Sequence, residues 1–266
     1  MTDNRPRKHF GQNFLHDRNI LDKIIRVIQP QADQHFVEIG PGRGAMTGPL
    51  LEKVQSLDVI EIDHDLATAL PGRFDADNLT VHQADALKFD FRQLQRDDKP
   101  LRLTGNLPYN ISTPLLFHML EHHQLFEDMH VMLQKEVAMR IAAEPGNKTY
   151  GRLSVAIAAR CQVEHLFNIK PGSFTPAPRV DSSFIRLVPD AEKRTAVTDF
   201  TAFDRVVKQS FAMRRKRLSN TLGQLMTSAD IESVGVDPGT RAEQLSVADF
   251  VRLANLFAER NAGQSN

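Results

Sequence analysis

The chain has 266 residues, of which 33 are basic and 33 acidic, so no global positive charge marks it as a nucleic-acid binder. Its length suits one catalytic α/β domain with a small appendix, and the lone Cys161 excludes an intramolecular disulfide or a thiolate-rich metal site and is expected to be a small buried residue. No run approaches the roughly 18 apolar residues of a membrane span, and the start, Met1 to His9, is charged rather than apolar, so a cytoplasmic protein with no membrane partner is expected.

A basic group, Arg5, Arg7, Lys8 and His9, opens the chain, and a helix is expected over about 17–28. An apolar strand, Phe36 to Ile39, then breaks into Gly40-Pro41-Gly42-Arg43-Gly44-Ala45 ahead of a helical pattern from Met46 to Val54. Such a turn lets backbone approach a ligand closely. Read from Gly40, it fits the G-x-G-x-x-A form of the dinucleotide fingerprint. Glu61 follows about 20 residues later, at the end of a second strand over Leu57 to Ile62, where an acid accepts from ribose hydroxyls. The pattern alone does not separate NAD, FAD and S-adenosylmethionine, nor any of them from an empty glycine turn.

A third strand, Leu79 to His82, leads to Asp85 and Ala86 at its C-terminal end, where open α/β sheets place ligand contacts. Asp85 suits an adenine amino group, with Ala86 leaving room for the ring; a helix N-cap is the competing role. A fourth strand, Leu101 to Thr104, delivers Asn106-Leu107-Pro108-Tyr109 to the same edge. An adenine amino nitrogen is a poor nucleophile because its lone pair is delocalised into the ring. Two acceptors in line, the Asn106 side-chain oxygen and the Leu107 or Pro108 carbonyl, would hold both N–H hydrogens and favour a pyramidal nitrogen. Tyr109 would stack on the base, unless it is ordinary packing after a proline turn. Four strand ends thus converge on one cleft, and the combination points to methyl transfer.

Beyond these elements a helix is expected over Ser112 to His122, and strands over Val131 to Leu133, Glu164 to Ile169 and Ser183 to Val188. His118 and His122 stand at i, i+4 with Glu121 between them, but no third ligand is evident, so no metal is expected there; the same holds for Glu61, Asp63 and Asp65. After Val188 the pattern turns purely helical, with Phe203, Val207 and Phe211 at i, i+4, i+8 and Ser246 and Asp249 spaced as a capping box. A boundary near Pro189 divides the chain into 1–189 and 190–266. The second part carries Arg214, Arg215, Lys216 and Arg217, a cluster suited to phosphates or, alternatively, to a solvated face.

Seven segments in order carry a resemblance to a known family: Phe10 to Asp17, Glu38 to Gly44, Glu61 to Asp63, Ala84 to Leu87, Gly105 to Ser112, Gln134 to Ala138 and Phe174 to Ser182. The chain closely resembles the ribosomal RNA adenine N6,N6-dimethyltransferases, most of all the bacterial branch that modifies two adjacent adenosines near the 3′ end of 16S rRNA. The resemblance implies a Rossmann-like S-adenosylmethionine-dependent methyltransferase sheet of seven strands, the last antiparallel, plus a small all-α C-terminal domain. It implies Asn13 and Leu15 as a lip over the cofactor, Gly40 and Gly42 at its methionine part, Glu61 and Ile62 at the ribose, Asp85 and Ala86 at the adenine, and Asn106 between cofactor and target. Pro108 belongs to the grip on the amino group, and Tyr109 and Phe174 look like two faces of a clamp on a flipped-out adenine.

The partner implied is 16S rRNA within the 30S subunit or its precursor, met by Arg5, Arg7, Lys8 and Arg214 to Arg217, with the enzyme a monomer. The neutral charge balance suits a substrate presented on a large particle and weighs against the strongly basic 23S rRNA methyltransferases of antibiotic resistance. Two other classes share the fold: a DNA adenine methyltransferase, and a noncatalytic assembly or transcription factor. The second would be free to lose motifs that are all intact here.

Overall fold

The computed structural model describes residues 12–74 and 77–263. The chain divides into two compact units, Met1–Ala138 with Glu164–Pro189, and Met139–Val163 with Asp190–Asn266. In chain order the elements of the first stretch are β1 (Phe14–Leu15), α1 (Arg18–Ile28), β2 (His35–Ile39), α2 (Thr47–Leu51), β3 (Ser56–Glu61), α3 (His64–Phe74), β4 (Leu79–Gln83), β5 (Leu101–Asn106), α4 (Ser112–Glu121) and β6 (Phe126–Gln134). Then follow α5 (Lys135–Ile141), α6 (Arg152–Ala158), β7 (Cys161–Ile169), β8 (Phe174–Thr175), β9 (Ser182–Pro189), α7 (Ala191–Ala196), α8 (Phe200–Ser210), α9 (Leu218–Thr221), α10 (Ser228–Ser233) and α11 (Val247–Gly263).

The seven-stranded sheet has the order β4-β3-β2-β5-β6-β9-β7. β4, β3, β2, β5 and β6 run parallel, and β9 enters antiparallel to β6, as the resemblance implied. The central strands β2, β3 and β5 are buried almost throughout, because helices cover both faces of a parallel sheet. The strand order reverses between β2 and β5, and ligands of open α/β sheets bind beyond the strand ends at such a reversal. Gly105 permits this neighbouring pair: a Cβ there would lie 2.5 Å from the Ile39 carbonyl oxygen.

α1 starts where Asp17 caps it, the side chain accepting from the amides of Asn19 at 3.0 Å and Ile20 at 3.3 Å. Its apolar side supplies Ile24 and Ile28 to a core shared with Phe36, Leu50, Leu57, Val59, Met132 and Phe184. The buried Arg102 on β5 reaches back to this helix, donating to the Ile28 carbonyl at 2.9 Å and to both Asp128 carboxylate oxygens at 2.8 Å. A charge inside a sheet is tolerable only when paired and hydrogen-bonded in this way.

The second unit has its own core, in which Phe203, Val206 and Val207 of α8 meet Phe250, Leu253 and Ala254 of α11. Tyr150, Val155 and Ala159 belong to the same cluster. The division therefore differs from 1–189 and 190–266 in one segment: Met139–Val163 groups with the later residues, because its apolar side chains complete their core. That segment holds the end of α5, the whole link after it and α6, none of which the sequence pattern marks as helical. The expected capping box is present, with Ser246 and Asp249 bonded reciprocally. Cys161 is 1 % exposed and burial pushes its thiol up to about 12, as suits an unreactive packing residue. No helix among the described residues is long and apolar enough to cross a membrane.

Candidate active site

A cleft of about 710 Å³, its open mouth included, lies in the first unit at the reversal between β2 and β5. Its walls come from the ends of β1, β2, β3 and β5 and the turns after them. Of the residues singled out from sequence, Asn13, Leu15, Gly40, Gly42, Glu61, Ile62, Asn106, Pro108 and Tyr109 line it.

The turn after β2 is held open by glycine. Gly42 has φ +56°, and a Cβ there would sit 2.9 Å from the Phe14 ring. Its amide donates to Glu61 Oε2 at 3.1 Å, while the Asp63 amide donates to Oε1 at 2.9 Å. Glu61 is only 5 % exposed, and desolvation raises its pKa against the opposing pull of these backbone bonds. The Ile62 backbone bonds to the carboxylate as well, which leaves about one of its roughly four lone-pair sites for a ligand. Asp63 beside it accepts from Gln12 Nε2 at 3.1 Å, which draws the first described residue of the chain over this wall.

Glu38, inside β2, is a second buried carboxyl in the lining and one to which the sequence reading gave no role. Thr47 Oγ1 donates to its Oε2 at 2.6 Å, and burial pushes its pKa up to about 7 despite that bond, with Glu61 adding repulsion. The opposite wall begins at Asn106. Its amide nitrogen donates to the Asn13 carbonyl at 2.8 Å, which commits the nitrogen and leaves the side-chain oxygen as the acceptor. The Leu107 amide donates to the Met132 carbonyl at 3.1 Å, and the Pro108 carbonyl accepts from the Ile111 amide at 3.1 Å. The Tyr109 hydroxyl pairs with Ser182 Oγ on β9, so the hydroxyl has a partner as well as the ring a face. Burial raises the Tyr109 pKa, the Ser182 bond acting the other way.

Three expected site residues are not brought into this lining. Asp85 stands at the end of β4, where its carboxylate accepts from the Leu87 amide at 3.0 Å; it braces a turn rather than a helix start, and Ala86 is buried beside it. Phe174, expected as one face of a clamp, lies in the core instead of the lining. It pairs with Leu15 across β1 and β8, and the ring, 2 % exposed, packs in the core with Ile24, Phe167 and Phe184. Phe14, next to Leu15 on β1, is the aromatic that lines the cleft besides Tyr109, with the Arg43 guanidinium 4.6 Å from its centroid. It was missed because a two-residue strand has no readable alternation.

The basic residues divide as well. Arg5, Arg7 and Lys8 lie outside the described residues, as do Phe10 and Gly11 of the first motif. In the second unit Arg214 is engaged internally, with its Nε 3.3 Å from Glu243 and its guanidinium donating to the Lys148 carbonyl. Arg215, Lys216 and Arg217 are exposed in the turn between α8 and α9 rather than on a helix face, and Arg217 bridges Arg241 through the backbone.

With this geometry in hand, similarity to known proteins is decisive. The family model of ribosomal RNA adenine dimethylase matches residues 3–259. A ribosomal RNA small subunit methyltransferase A from Pseudomonas putida is 52 % identical over 257 residues, covering 96 % of each chain. A protein of the same name from Aromatoleum aromaticum is 52 % identical over 262 residues, 98 % of this chain and 97 % of its own. Among solved structures, a dimethyladenosine transferase from Plasmodium falciparum superposes with a TM-score of 0.76 at 26 % identity, covering 93 % of this chain and 98 % of its own. The 23S rRNA methyltransferase ErmE shares the fold, with a TM-score of 0.67 at 23 % identity over 92 % of this chain and all of its own. A match that runs through both units, with the glycine turn, the β3 acid and the Asn106 to Tyr109 segment all in one cleft, leaves a single assignment: the chain belongs to the ribosomal RNA adenine dimethylase family.

Proposed function

We propose that this enzyme, an S-adenosylmethionine-dependent rRNA adenine dimethyltransferase by family, modifies N6 of two adjacent adenosines near the 3′ end of 16S rRNA. It acts in the cytoplasm as a monomer on the 30S subunit or its precursor, and so takes part in subunit maturation. The observation that carries the reading is the Asn106 amide, turned by the Asn13 carbonyl so that its oxygen is the acceptor, in the same cleft as the buried Glu61. The names of the Pseudomonas and Aromatoleum relatives support the small subunit as the target.

The residues present suit the cofactor. Glu61 would accept from the ribose on the capacity that its bonds to the Gly42, Asp63 and Ile62 backbone leave, and the Ile62 side chain, 44 % exposed, offers an apolar surface beside it. Gly40 and Gly42 would let backbone approach the methionine part, with Asn13 and Leu15 at the rim. When bound, S-adenosylmethionine supplies a methyl group already activated on a sulfonium.

What remains for the protein is positioning. The Asn106 oxygen would accept one hydrogen of the adenine amino group. The Leu107 or the Pro108 carbonyl would supply the second acceptor, the latter on the lone pair that Ile111 leaves. Tyr109 would stack on the base, a contact worth about 1–3 kcal/mol, comparable to the cost of unstacking it. Together these acceptors stabilise positive charge as it develops on the nitrogen. No general base is needed, because the methylated amino group is strongly acidic and loses a proton to water or to a carbonyl.

Arg215, Lys216 and Arg217 would meet rRNA phosphates, together with the basic residues Arg5, Arg7 and Lys8. Asp85, near the end of β4, would reach the adenine of the cofactor through its second oxygen. Mass spectrometry of 16S rRNA from cells with and without the protein tests the assignment. Two dimethyladenosines present only with the protein support it. Unmodified 16S rRNA in both, or methyl transfer to duplex DNA instead of small-subunit particles, overturns it.

A further inference from the structure

We propose that His118, Glu121 and His122, at the C-terminal end of α4, form a binding site for one divalent transition-metal ion of the zinc class. One potential ligand atom from each residue lies within 4.8 Å of the others, and this is the sole such group of three among the described residues. The histidine pair alone offers two ligands at i, i+4. The fold adds a third by bringing the Glu121 carboxylate onto the same side, with Oε2 3.4 Å from His118 Nδ1. A tetrahedral ion with bonds of about 2.0–2.1 Å separates its ligand atoms by about 3.3 Å, so this pair already spans one edge of the polyhedron.

The tautomer of His118 is set for the task. Its Nε2 lies 2.8 Å from the Phe89 carbonyl oxygen, which only accepts. The proton of the neutral ring therefore sits on Nε2, and a metal ion would take the lone pair of Nδ1, the atom beside Glu121. A backbone carbonyl fixing the far nitrogen of a histidine is the usual outer support of a metal-bound imidazole. The His118 and His122 rings meet edge to face, 5.2 Å between centroids, and Phe91 packs against both at 5.5 and 5.6 Å. That apolar wall closes one side, while Glu121, its side chain 67 % exposed, leaves the other open for a water as fourth ligand.

The nearby acid does not compete. Asp90 is held by Arg92 through two bonds of 2.8 and 2.9 Å. Two imidazoles and one carboxylate suit zinc, cobalt or nickel better than magnesium or calcium, which take oxygen ligands. The order His-x-x-Glu-His occurs in zinc hydrolases whose glutamate acts as base, but here Glu121 sits at a ligand position, so this is a binding site and not a second catalytic centre. It stands about 9–14 Å along α4 from the start of that helix at Ser112.

The test is titration of the purified, metal-free full-length protein with Co²⁺, followed by visible absorption, and with Zn²⁺ in competition. The expected result is one equivalent bound with the absorption of a low-symmetry four- or five-coordinate ion, displaced by Zn²⁺ and not by Mg²⁺. Glu121→Gln and His122→Ala, both near the surface, should each weaken binding about tenfold or more. Circular dichroism and the metal-free melting temperature establish that each variant is folded. Absence of stoichiometric binding by the wild-type protein, or unchanged affinity in both folded variants, overturns the site.

Discussion

The two walls of the active-site cleft are built by different means. On the wall proposed for the cofactor two carboxyls, Glu38 and Glu61, are 1 % and 5 % exposed and are held by Thr47, Gly42 and Asp63, none more than 19 residues away in the chain. On the wall proposed for the base Asn106 and Tyr109 are half-buried, and each is held by one bond across a long stretch of chain, 93 residues to Asn13 and 73 to Ser182. A wall fixed by local turns is preformed and suits a ligand of constant shape. A wall fixed by single bonds to distant strands depends on the fold being complete, and such a bond can be exchanged when a base arrives.

The sharpest break of this comparison is Asn106→Ala. It removes the acceptor proposed for the reacting nitrogen, and turnover should fall by about 100- to 1,000-fold, as for other single groups that stabilise developing charge. Calorimetry should show cofactor affinity changed far less. Single-turnover methylation of 30S particles measures the first quantity, and a loss confined to cofactor binding would move Asn106 to the other wall.

Glu38→Gln probes the cofactor side through stability. The folded-state pKa of Glu38, about 7, is above its ordinary 4.5, so the folded protein holds the proton more tightly than the unfolded chain. Stability from this group is therefore lost as pH rises from about 4.5 through 7, by at most about 3 kcal/mol. Urea unfolding of wild type and variant at pH 5 and pH 8 isolates it. The variant should gain on the wild type at the higher pH; a constant difference would mean that Glu38 titrates as an ordinary carboxyl.

Glu61→Ala should raise the S-adenosylmethionine dissociation constant about 10- to 100-fold, since charge-assisted bonds are worth about 1.5–3 kcal/mol each. Because burial raises the Glu61 pKa, wild-type affinity should also begin to fall at a higher pH than a free carboxyl would dictate, whereas the variant should lack that part of the pH dependence. An unchanged dissociation constant would remove Glu61 from the ribose.

The smallest effect is expected at the hydroxyl pair. Tyr109→Phe and Ser182→Ala should each lower kcat by no more than about tenfold, the worth of one hydrogen bond, and the double variant should be no worse than either. Tyr109→Ala, which also removes the ring, should be far more damaging. Additive losses in the double variant would show that the two hydroxyls act separately.

The same contrast explains what could be read from the chain. The glycine turn, the acid at the end of β3 and the Asn106 segment were legible because each is a local pattern at a strand end. The strand positions followed from apolar runs, although β6 proved longer than Val131 to Leu133. β1 and β8, with two residues each, carry no period, so neither the cleft-facing Phe14 nor the inward turn of Phe174 could be inferred. Ser182 was inside a matched segment, yet its pairing with Tyr109 exists only once β9 is inserted beside β6. The basic cluster was visible as composition, but the internal ties of Arg214 depend on Glu243 and Lys148, which pattern does not connect to it.

The second unit is entered twice by the chain, first at Met139 and again at Asp190. Ribosomal synthesis therefore releases Tyr150, Val155 and Ala159 long before Phe203 and Phe250, with which they share a core. During that interval the nascent chain carries an apolar segment whose complement has not been made. A stop codon after Pro189 would make the interval permanent: the product would retain the catalytic strands together with an orphaned helical insert, and aggregation rather than a trimmed enzyme is the natural fate of such a chain.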